Sequence, residues 1–419
     1  MALPQRRCFG STPAVCRSYE TYGSGNLLNG VPAGDHLCNA FAWRIRHPME
    51  NGVERVAIVS QAVGHLNAPV RLHQGVYVYW TRPVPRFLVD GVLDLRLRLN
   101  PQGRGQFMEN RIHSNELAGI EIESHSDPKI TRNKIYDGRY VGVYISDKGR
   151  GILEDNDIYR NAFVNINITS HSDPKVIRNK IWSGQNGGVL VHNNGQGVLE
   201  DNEIFDNVMA GVGIYADGNP ALRRNKIYDG RGKGVLIFNK GRGVLEDNNI
   251  YRNARVGVLI ECESDPTLRR NRVYEGRTAG IEIREGAMAT LESNAIFHNR
   301  FGGLFLATGV RPTLHDNKIY DNDDLVEKTV AKGGCLFEIT SRTSRAMHDF
   351  YRCDTCNTTK KNAICLNCIR TCHAGHDVRL VRCDRFFCSC GVGALKHQCK
   401  LQSEVRDNDS ALPVDSEPQ

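Results

Sequence analysis

Short apolar segments recur along the middle of the chain with one fixed period. Asparagine occupies every twenty-third position from Asn110 to Asn317, and Ile or Val stands two residues after each one. Nine to twelve residues after the Asn comes an alternating segment, usually opened by Gly, such as Gly142-Val-Tyr-Ile145. A third apolar position closes each coil. These three segments predict β-strands, because they are too short for helices and turn residues separate them.

A repeat of this length predicts a solenoid, because one coil buries its apolar side only by stacking on the next. We therefore predict a mainly β fold, a right-handed parallel β-helix of ten 23-residue coils over residues 101–324. At ~4.8 Å per rung, the stack would be on the order of 45 Å long. A β-propeller needs about twice this period per blade, and the Leu-x-x-Leu-x-Leu pattern of leucine-rich repeats is absent.

Several columns of the repeat have structural interpretations. The Asn column predicts a buried ladder in which each amide bonds to the neighbouring rungs. Pro128 and its equivalents, 46 residues apart, alternate with Gly151 and its equivalents, and Asn115 and its equivalents alternate with Gly138 and its equivalents. This alternation predicts two turn types, with Gly supplying positive φ in both glycine columns. The aromatic column from His113 to Tyr320 favours a stacking ladder. The alternative is a groove for an extended peptide or a sugar.

The outward positions of the Gly-led strands carry large apolar residues that the fold alone does not require. Such a patch often marks a partner-binding face. The alternative is that a loop or the C-terminal domain covers it. The candidate face consists of Tyr144, Leu190, Tyr215, Leu236, Phe238, Leu259 and Phe305.

Catalysis is a competing hypothesis, since several β-helix families cleave acidic polysaccharides. Acidic residues are abundant, but they repeat with the fold, as at Asp127, Asp173 and Asp265 or at Asp155 and Asp201. A catalytic pair should interrupt the repeat, because the chemistry happens at one place. No coil combines two acids and a base uniquely, so we predict no catalytic residues.

The period ends after Asp324, and a cysteine-rich segment follows. Ten of the fourteen cysteines lie between Cys335 and Cys399. Thiolates and imidazoles in paired spacings favour zinc over disulfides. Without an HExxH helix, the sites are predicted to be structural, with two ions, or three if one cysteine bridges two. Cys372, Cys383 and His397 have no assigned role. The candidate ligands are Cys335, Cys353, Cys356, Cys365, Cys368, His373, His376, Cys388, Cys390 and Cys399.

The composition excludes some partners. The net charge of +7 is spread along repeat positions beside acidic residues, which indicates a solvated surface and not a nucleic-acid footprint. No run approaches 18 apolar residues, so no membrane span is expected. The N-terminus lacks an apolar segment after its arginines and does not resemble a secretory signal. We therefore expect a nuclear and cytoplasmic protein with reduced thiols.

The segment from His348 to Gly391, with Cys353-x-x-Cys356, Cys365-x-x-Cys368 and Cys388-Ser-Cys390, resembles a UBR-type zinc finger. Together with the 23-residue β-helix before it, the chain resembles the F-box-only substrate receptors of ubiquitin ligases. That resemblance implies a non-catalytic subunit that recognises protein substrates for a Skp1–cullin–F-box ligase. A carbohydrate-active enzyme and a non-ligase scaffold are the alternative functions.

Two features depart from that family. Residues 1–102 show no LPxE-like start or amphipathic helices of an F-box, so we expect a shortened form that couples to Skp1–cullin only if a longer form supplies the F-box. In the finger, Ser389 and Gly391 stand where acidic side chains would hold a basic N-terminus, so N-degron binding is not expected. We predict an atypical N-terminal segment at 1–100, which is either a cap or partly disordered, a zinc finger at 333–402 and a disordered tail at 403–419.

Overall fold

A computed structural model describes residues 104–340, 346–356, 358, 362–395 and 398–401, together with the backbone of four earlier strands. Val56–Ser60 pairs in parallel with Val76–Trp80. Leu97–Arg98 pairs with the first coil at Ile120. The predictions for the rest of residues 1–100, for the tail 403–419 and for His397 lie outside the described residues.

The central residues form a parallel β-helix whose coils each contribute one strand to three long sheets. Sheet 1 contains the Gly-led strands, which are Leu97–Arg98, Ile120–Ile122, Val143–Ile145, Val164–Ile168, Gly187–Val191, Ala210–Tyr215, Lys233–Phe238, Val258–Ile260, Ile281–Ile283 and Leu304–Leu306. Sheet 2 contains Val84–Phe87, Gly105–Met108, Lys129–Thr131, Ile152–Glu154, Lys175–Ile177, Val198–Glu200, Ala221–Arg223, Val244–Glu246, Thr267–Arg269, Thr290–Glu292 and Thr313–His315. Sheet 3 contains Arg111–His113, Lys134–Tyr136, Asp157–Tyr159, Lys180–Trp182, Glu203–Phe205, Lys226–Tyr228, Asn249–Tyr251, Arg272–Tyr274, Ala295–Phe297 and Lys318–Tyr320.

The coil count differs slightly from the prediction. From Gly105 onward there are nine complete coils of three strands and two strands of a tenth. The register between coils is 23 residues, so that Ile158 lies beside Ile135 and Ile181. The expected ten coils are therefore nine complete coils and a partial one, because the third strand of the tenth is replaced by a helix.

One apolar core runs along the axis of the solenoid. Each coil contributes inward Ile, Val or Leu side chains from all three sheets, and residues such as Ile135, Leu153 and Ile166 are fully buried. The inward positions of one coil stack on those of the next, which buries a continuous apolar column. This accounts for the strict spacing of apolar residues in the sequence.

The predicted asparagine ladder is confirmed. The Asn156 side-chain N–H donates to the Asn179 Oδ1 at 2.8 Å, and the same oxygen accepts from the Asn156 backbone N–H at 2.9 Å. The side chain also donates to the carbonyl oxygen of Ile130 at 2.9 Å. Each buried amide is satisfied by groups in neighbouring coils, which a buried polar group requires.

The glycine prediction is correct for one column and wrong for the other. Gly151 has φ of +121°, and Gly197 and Gly243 are similar, so these turns need glycine for its backbone freedom. Gly138, in contrast, lacks a positive φ, and a Cβ there would lie 2.8 Å from Asn161 Oδ1. Its backbone N–H donates to that oxygen. Glycine is needed there for close approach of the next coil.

The C-terminal part begins with a helix, α1, at Leu325–Ala331, followed by a short 3₁₀ helix at Leu336–Ile339. Asp324 caps α1 by accepting from the backbone N–H of Glu327 at 3.0 Å. The remaining strands, Ala346–Cys353, Ile364–Cys365 and Val378–Phe386, form one antiparallel sheet. A second helix, α2, spans Leu366–Thr371. We call residues 333–401 the finger.

Candidate zinc centres and partner face

The finger brings cysteine and histidine side chains together in three clusters. In each cluster all ligand atoms lie within 4.8 Å of one another. The first two use separate residues, and the third shares Cys368 with the first. The clusters are Cys335, Cys365, Cys368 and Cys388; Cys353, Cys356, His373 and His376; and Cys368, Cys372, Cys390 and Cys399.

The first cluster joins the segment after α1 to the body of the finger. Cys335 caps the 3₁₀ helix, whereas Cys365 and Cys368 lie at the start of α2 and within it. The Cys335 Sγ lies 3.5 Å from that of Cys368 and 4.0 Å from that of Cys365. Hydrogen bonds from the neighbouring thiols, that of Cys335 foremost, hold the pKa of Cys365 far below its usual range. Four buried sulfurs this close could together hold a metal ion.

The second cluster contains the two histidines. Cys356 Sγ lies 3.5 Å from His373 Nδ1 and 3.3 Å from His376 Nδ1, and Cys353 Sγ lies 3.4 Å from His376 Nδ1. The turn after α2 presents both imidazoles to the thiols at the end of the long strand Ala346–Cys353. The set of two thiols and two imidazoles is a tetrahedral donor set typical of structural zinc.

The third cluster includes one residue that sequence reasoning left without a role. Cys372 is buried, and its Sγ lies 4.0 Å from that of Cys399, which lies 3.5 Å from Cys368. The Cys368-x-x-x-Cys372 spacing puts both thiols on one side of α2, which was the available sequence signal. Cys383, also unassigned, is in no cluster; burial raises its thiol pKa to about 11.

The donor sets fit zinc. Tetrahedral zinc with Zn–S bonds of about 2.3 Å places its sulfurs ~3.8 Å apart; four sulfur pairs of the clusters lie 3.5 to 4.0 Å apart, and all ligand atoms of a cluster lie within 4.8 Å of one another. When bound, zinc would be held by the three clusters and would tie the chain together. Every predicted ligand belongs to a cluster, and Cys368 is shared between two.

The finger lies against the outer face of sheet 1. The Arg385 Nε donates to both carboxylate oxygens of Glu282 at 2.6 and 2.7 Å, and the Glu282 side chain is fully buried. The backbone N–H of Thr308 donates to the Cys383 carbonyl at 3.0 Å, and the Cys383 N–H returns a bond to the Thr308 hydroxyl at 2.8 Å. A small cavity lined by Phe305, Met347 and other side chains lies where the two parts meet.

This contact divides the predicted partner face. Leu259 is only 2% exposed, and its neighbours along the sheet are Leu236 and the buried Glu282. Phe305 lines the cavity beneath the finger. Leu259 is therefore not exposed as an open face would require, and Phe305 borders the finger. The remaining residues of the predicted face are half-buried, namely Tyr144, Leu190, Tyr215, Leu236 and Phe238.

The aromatic column forms a stacking ladder, as predicted. Ring centroids of successive coils from His113 to Tyr320 are separated by 4.3 to 5.5 Å, with nearly parallel planes. The rings contact one another along the edge of sheet 3. Their faces are therefore used within the stack.

Two acidic residues of the enzyme hypothesis, Asp155 and Asp201, are engaged in repeated ion pairs. Asp155 and Asp201 accept bonds from Arg178 and Arg224, respectively, in the next coil. In the finger, the carboxylate of Asp354 lies 3.2 Å from the Arg379 guanidinium. These arginines neutralise the carboxylates that acid–base chemistry or binding of a cationic terminus would need.

The fold and clusters define a solenoid protein with an attached zinc finger. Residues 97–181 and 164–323 match the family described as right handed beta helix region, and residues 339–402 match the putative zinc finger in N-recognin, or UBR box. The chain therefore belongs to the right-handed β-helix family and carries a UBR-type zinc finger. Cys335 lies before the matched finger segment but completes its first cluster.

Segments of the chain are also similar to curated proteins. Over 100 residues, 23% of this chain, it is homologous to F-box protein dre-1 of Caenorhabditis elegans, with 57% identity. It is 35% identical over 79 residues, 19% of this chain, to a probable E3 ubiquitin-protein ligase of Dictyostelium discoideum. It is also 34% identical over 96 residues, 22% of this chain, to the auxin transport protein BIG of Oryza sativa subsp. japonica. The matches span 11%, 1% and 2% of these relatives, respectively.

Among solved structures, the chain is similar to the periplasmic alginate epimerase AlgG. The TM-score is 0.54 at 12% sequence identity, over 64% of this chain and 77% of the epimerase. At this identity the likeness shows the fold alone. None of the helices in the described residues has the length and hydrophobicity that a membrane span needs.

Proposed function

We propose that the chain recognises protein substrates for a ubiquitin ligase of the Skp1–cullin–F-box type and has no catalytic centre of its own. The identity of 57% to F-box protein dre-1 is the observation that carries this proposal. The pairing of a β-helix with a UBR-type finger supports it. Coupling to Skp1 and cullin requires an F-box, which a longer form of the protein would supply. We place the protein in the nucleus and cytoplasm, where its thiols stay reduced.

In this proposal the finger holds three structural zinc ions, one in each cluster, with Cys368 bridging two of them. Zinc supplies folding free energy in small domains that have little apolar core of their own. Eight of the sixteen buried residues in the core cluster of the finger and α1 are cysteines, and the others include Phe350 and Ile364. The metals would therefore fix the shape of the finger and its position on the solenoid.

Substrates bind, in our proposal, to the uncovered part of the outer face of sheet 1. We call this surface the partner face and define it as Tyr144, Leu190, Tyr215, Leu236 and Phe238. These side chains are half-buried, Tyr144 and Leu190 pack on a small apolar cluster outside the main core, and Leu236 lies two rungs from Glu282, which pairs with the finger. A contiguous apolar patch of this kind is typical of protein-binding surfaces.

The test is a reconstituted ligase. The chain is fused behind an unrelated F-box, assembled with Skp1, cullin and RING subunits, and added to a cell extract. Ubiquitinated peptides are then quantified by mass spectrometry. We expect a set of proteins modified by the fusion but not by the F-box alone.

A fusion with Leu190→Asp and Leu236→Asp should lose that set, whereas Lys175→Glu on sheet 2 should retain it. A fusion that modifies no more proteins than the F-box alone contradicts the proposal. Bound partners without ubiquitination would favour the non-ligase scaffold.

A further inference from the structure

The last coil of the solenoid has no further coil stacked on it among the described residues. Strand Thr313–His315 ends sheet 2 and strand Lys318–Tyr320 ends sheet 3, and neither pairs with another described strand on its far side. At the opposite end of the solenoid, the preceding strands Leu97–Arg98 and Val84–Phe87 continue sheets 1 and 2. The described residues therefore leave the C-terminal end open, with strand edges available for pairing.

Side chains at core positions are exposed at this end. Leu314 and Ile319 continue the columns of Leu291 and Ile296, which are fully buried in the coil before. In the last coil these two side chains are 44% and 47% exposed, respectively, and Leu306 of sheet 1 is 37% exposed. The three side chains come from three different sheets, so together they form the apolar cross-section of the solenoid. Exposed apolar surface of this kind is typical of an interface.

Backbone donors also lack partners at this end. Four N–H groups of the ninth coil are satisfied by the last coil, as when the N–H of Asn294 donates to Asn317 Oδ1 at 3.0 Å and that of Ser293 donates to the His315 carbonyl at 2.9 Å. The four equivalent N–H groups of the last coil have no hydrogen bond to a described residue. They belong to Asp316, Asn317, Asp321 and Asn322. A partner with free carbonyl groups can satisfy them.

The shape of this end favours a second copy of the chain over a single extended strand. An added strand would pair with only one of the three sheet edges and would leave the apolar centre exposed. Another solenoid end presents three edges around a centre of the same kind. A surface that contacts its own copy does so about a twofold axis, so that each contact occurs twice, once on either side of the axis.

Two charges of the last coil are arranged for such a twofold contact. Arg311 lies three residues before Leu314, and Asp316 lies two residues after it. Both charged side chains are exposed, and neither has an ion pair or hydrogen bond to another described residue. At the equivalent position of an earlier coil, Asp201 pairs with Arg224 of the coil that follows. Asp316 has no following coil among the described residues, so a second copy is the available source of a cation.

The other charged groups of the last coil are mostly engaged within the chain. Asp321 lies 4.0 Å from His298 of the ninth coil. Asp323 accepts from Lys328 at 2.5 Å, and Asp324 caps α1. Lys318 is exposed and has no ion pair among the described residues. Three charged side chains thus remain available to a partner, namely Arg311, Asp316 and Lys318.

We propose that two copies of the chain associate end to end through their last coils, about a twofold axis that passes close to Leu314. Strand Thr313–His315 pairs antiparallel with the same strand of the second copy, and Arg311 of each copy lies beside Asp316 of the other. The exposed leucine and isoleucine side chains of the two ends are buried together, which stabilises the dimer. The pairing does not depend on the proposed function, because the partner face lies on earlier coils.

Sedimentation velocity of the purified zinc-loaded chain tests the association. The average mass should rise from that of one chain toward that of two as the concentration is raised. We expect a Kd on the order of 10 µM, because one solenoid end is smaller than a standard interface. Leu314→Asp should weaken the dimer at least tenfold. Leu117→Asp is the matched control, since Leu117 lies in the first coil and is 49% exposed, and it should leave the Kd unchanged.

A charge swap locates the twofold axis. Arg311→Asp and Asp316→Arg should each weaken self-association by about fivefold, because each change places like charges beside one another twice in the dimer. An equimolar mixture of the two variants should associate as tightly as the natural chain, since every such contact in the mixed dimer again joins opposite charges. A folding defect in either variant would persist in the mixture, so recovery reports the contact itself.

The inference is overturned if the chain stays monomeric at every concentration, or if it forms a dimer that neither Leu314→Asp nor the charge reversals weaken. A mixture of the two charge variants that associates no more tightly than each variant alone would overturn the placement of the axis. If the chain dimerises only after residues 403–419 are removed, that segment covers the end in place of a second copy, which also overturns the inference.

Discussion

At the residue scale, the asparagine column shows how far spacing alone predicts structure. An Asn at every twenty-third position is best explained by a ladder, and Asn110 and Asn133 are linked as expected. The role of Gly138 could not be predicted, because the atom that excludes a side chain there, Asn161 Oδ1, belongs to the next coil. Likewise, the sequence indicated that Leu259 points outward but not that it is covered.

Asn202→Ala should destabilise the solenoid strongly. Asn202 is 1% exposed, accepts from Asn179 and donates to Asn225 and to the Val176 carbonyl. Its loss leaves buried groups unsatisfied, at ~1–3 kcal/mol each, so we expect a loss of about 2–5 kcal/mol in the free energy of unfolding. Denaturant titration measures it. Asn249→Ala, on the outer face of sheet 3, should change the free energy of unfolding by less than ~0.5 kcal/mol. Equal losses in Asn202→Ala and Asn249→Ala would show that the ladder does not stabilise the solenoid.

Cys368→Ser should remove more metal than any other single cysteine variant. Its Sγ belongs to two clusters, so zinc content should fall from three ions per chain toward one. Cys372→Ser should leave two ions, and Cys383→Ser, outside the clusters, should leave three. Elemental analysis of the purified protein measures each. If the natural chain binds only two zinc ions, and Cys372→Ser does not lower that number, the three-ion arrangement is contradicted.

At the element scale, the finger and the solenoid meet through contacts distant in sequence. Residues of the strand Val378–Phe386 bond to Glu282 and Thr308 of the solenoid. The bond between Cys383 and Thr308 joins residues that are 75 positions apart in the sequence. The sequence predicted both parts, because the repeat and the ligand spacings are local patterns. It could not predict their docking, since single residues such as Arg385 and Cys383 carry it and follow no period.

Arg385→Leu should loosen the finger from sheet 1. The change leaves the fully buried Glu282 carboxylate without its paired cation, which is strongly destabilising. We expect the amide hydrogens of Thr308 and Cys383, which bond across the contact, to exchange at least tenfold faster by NMR. Glu282→Gln in the same chain should restore part of the protection. Arg382→Leu, an exposed neighbour paired with Asp384, is the control; an equal effect there would contradict the role of the buried pair.

At the scale of the whole molecule, the stacked coils place an outward position of sheet 1 at every rung, and all but Gly213 between Tyr144 and Phe305 carry a side chain there. The finger covers this row at Glu282 and Phe305 and leaves it open from Leu236 back to Tyr144. The solenoid thus provides a long regular surface along sheet 1, and the finger determines which part of that surface is exposed. The extent of the partner face therefore depends on both parts.

The most direct measurement of this account is site-specific photo-crosslinking to a protein that the fused ligase ubiquitinates. A benzophenone amino acid is placed at Leu236 on the partner face, or at Lys180 on sheet 3, and irradiated with that purified protein. The account predicts a crosslink from position 236 and none from position 180. Crosslinks from position 180 alone would contradict it, since the substrate would then bind a different wall of the solenoid.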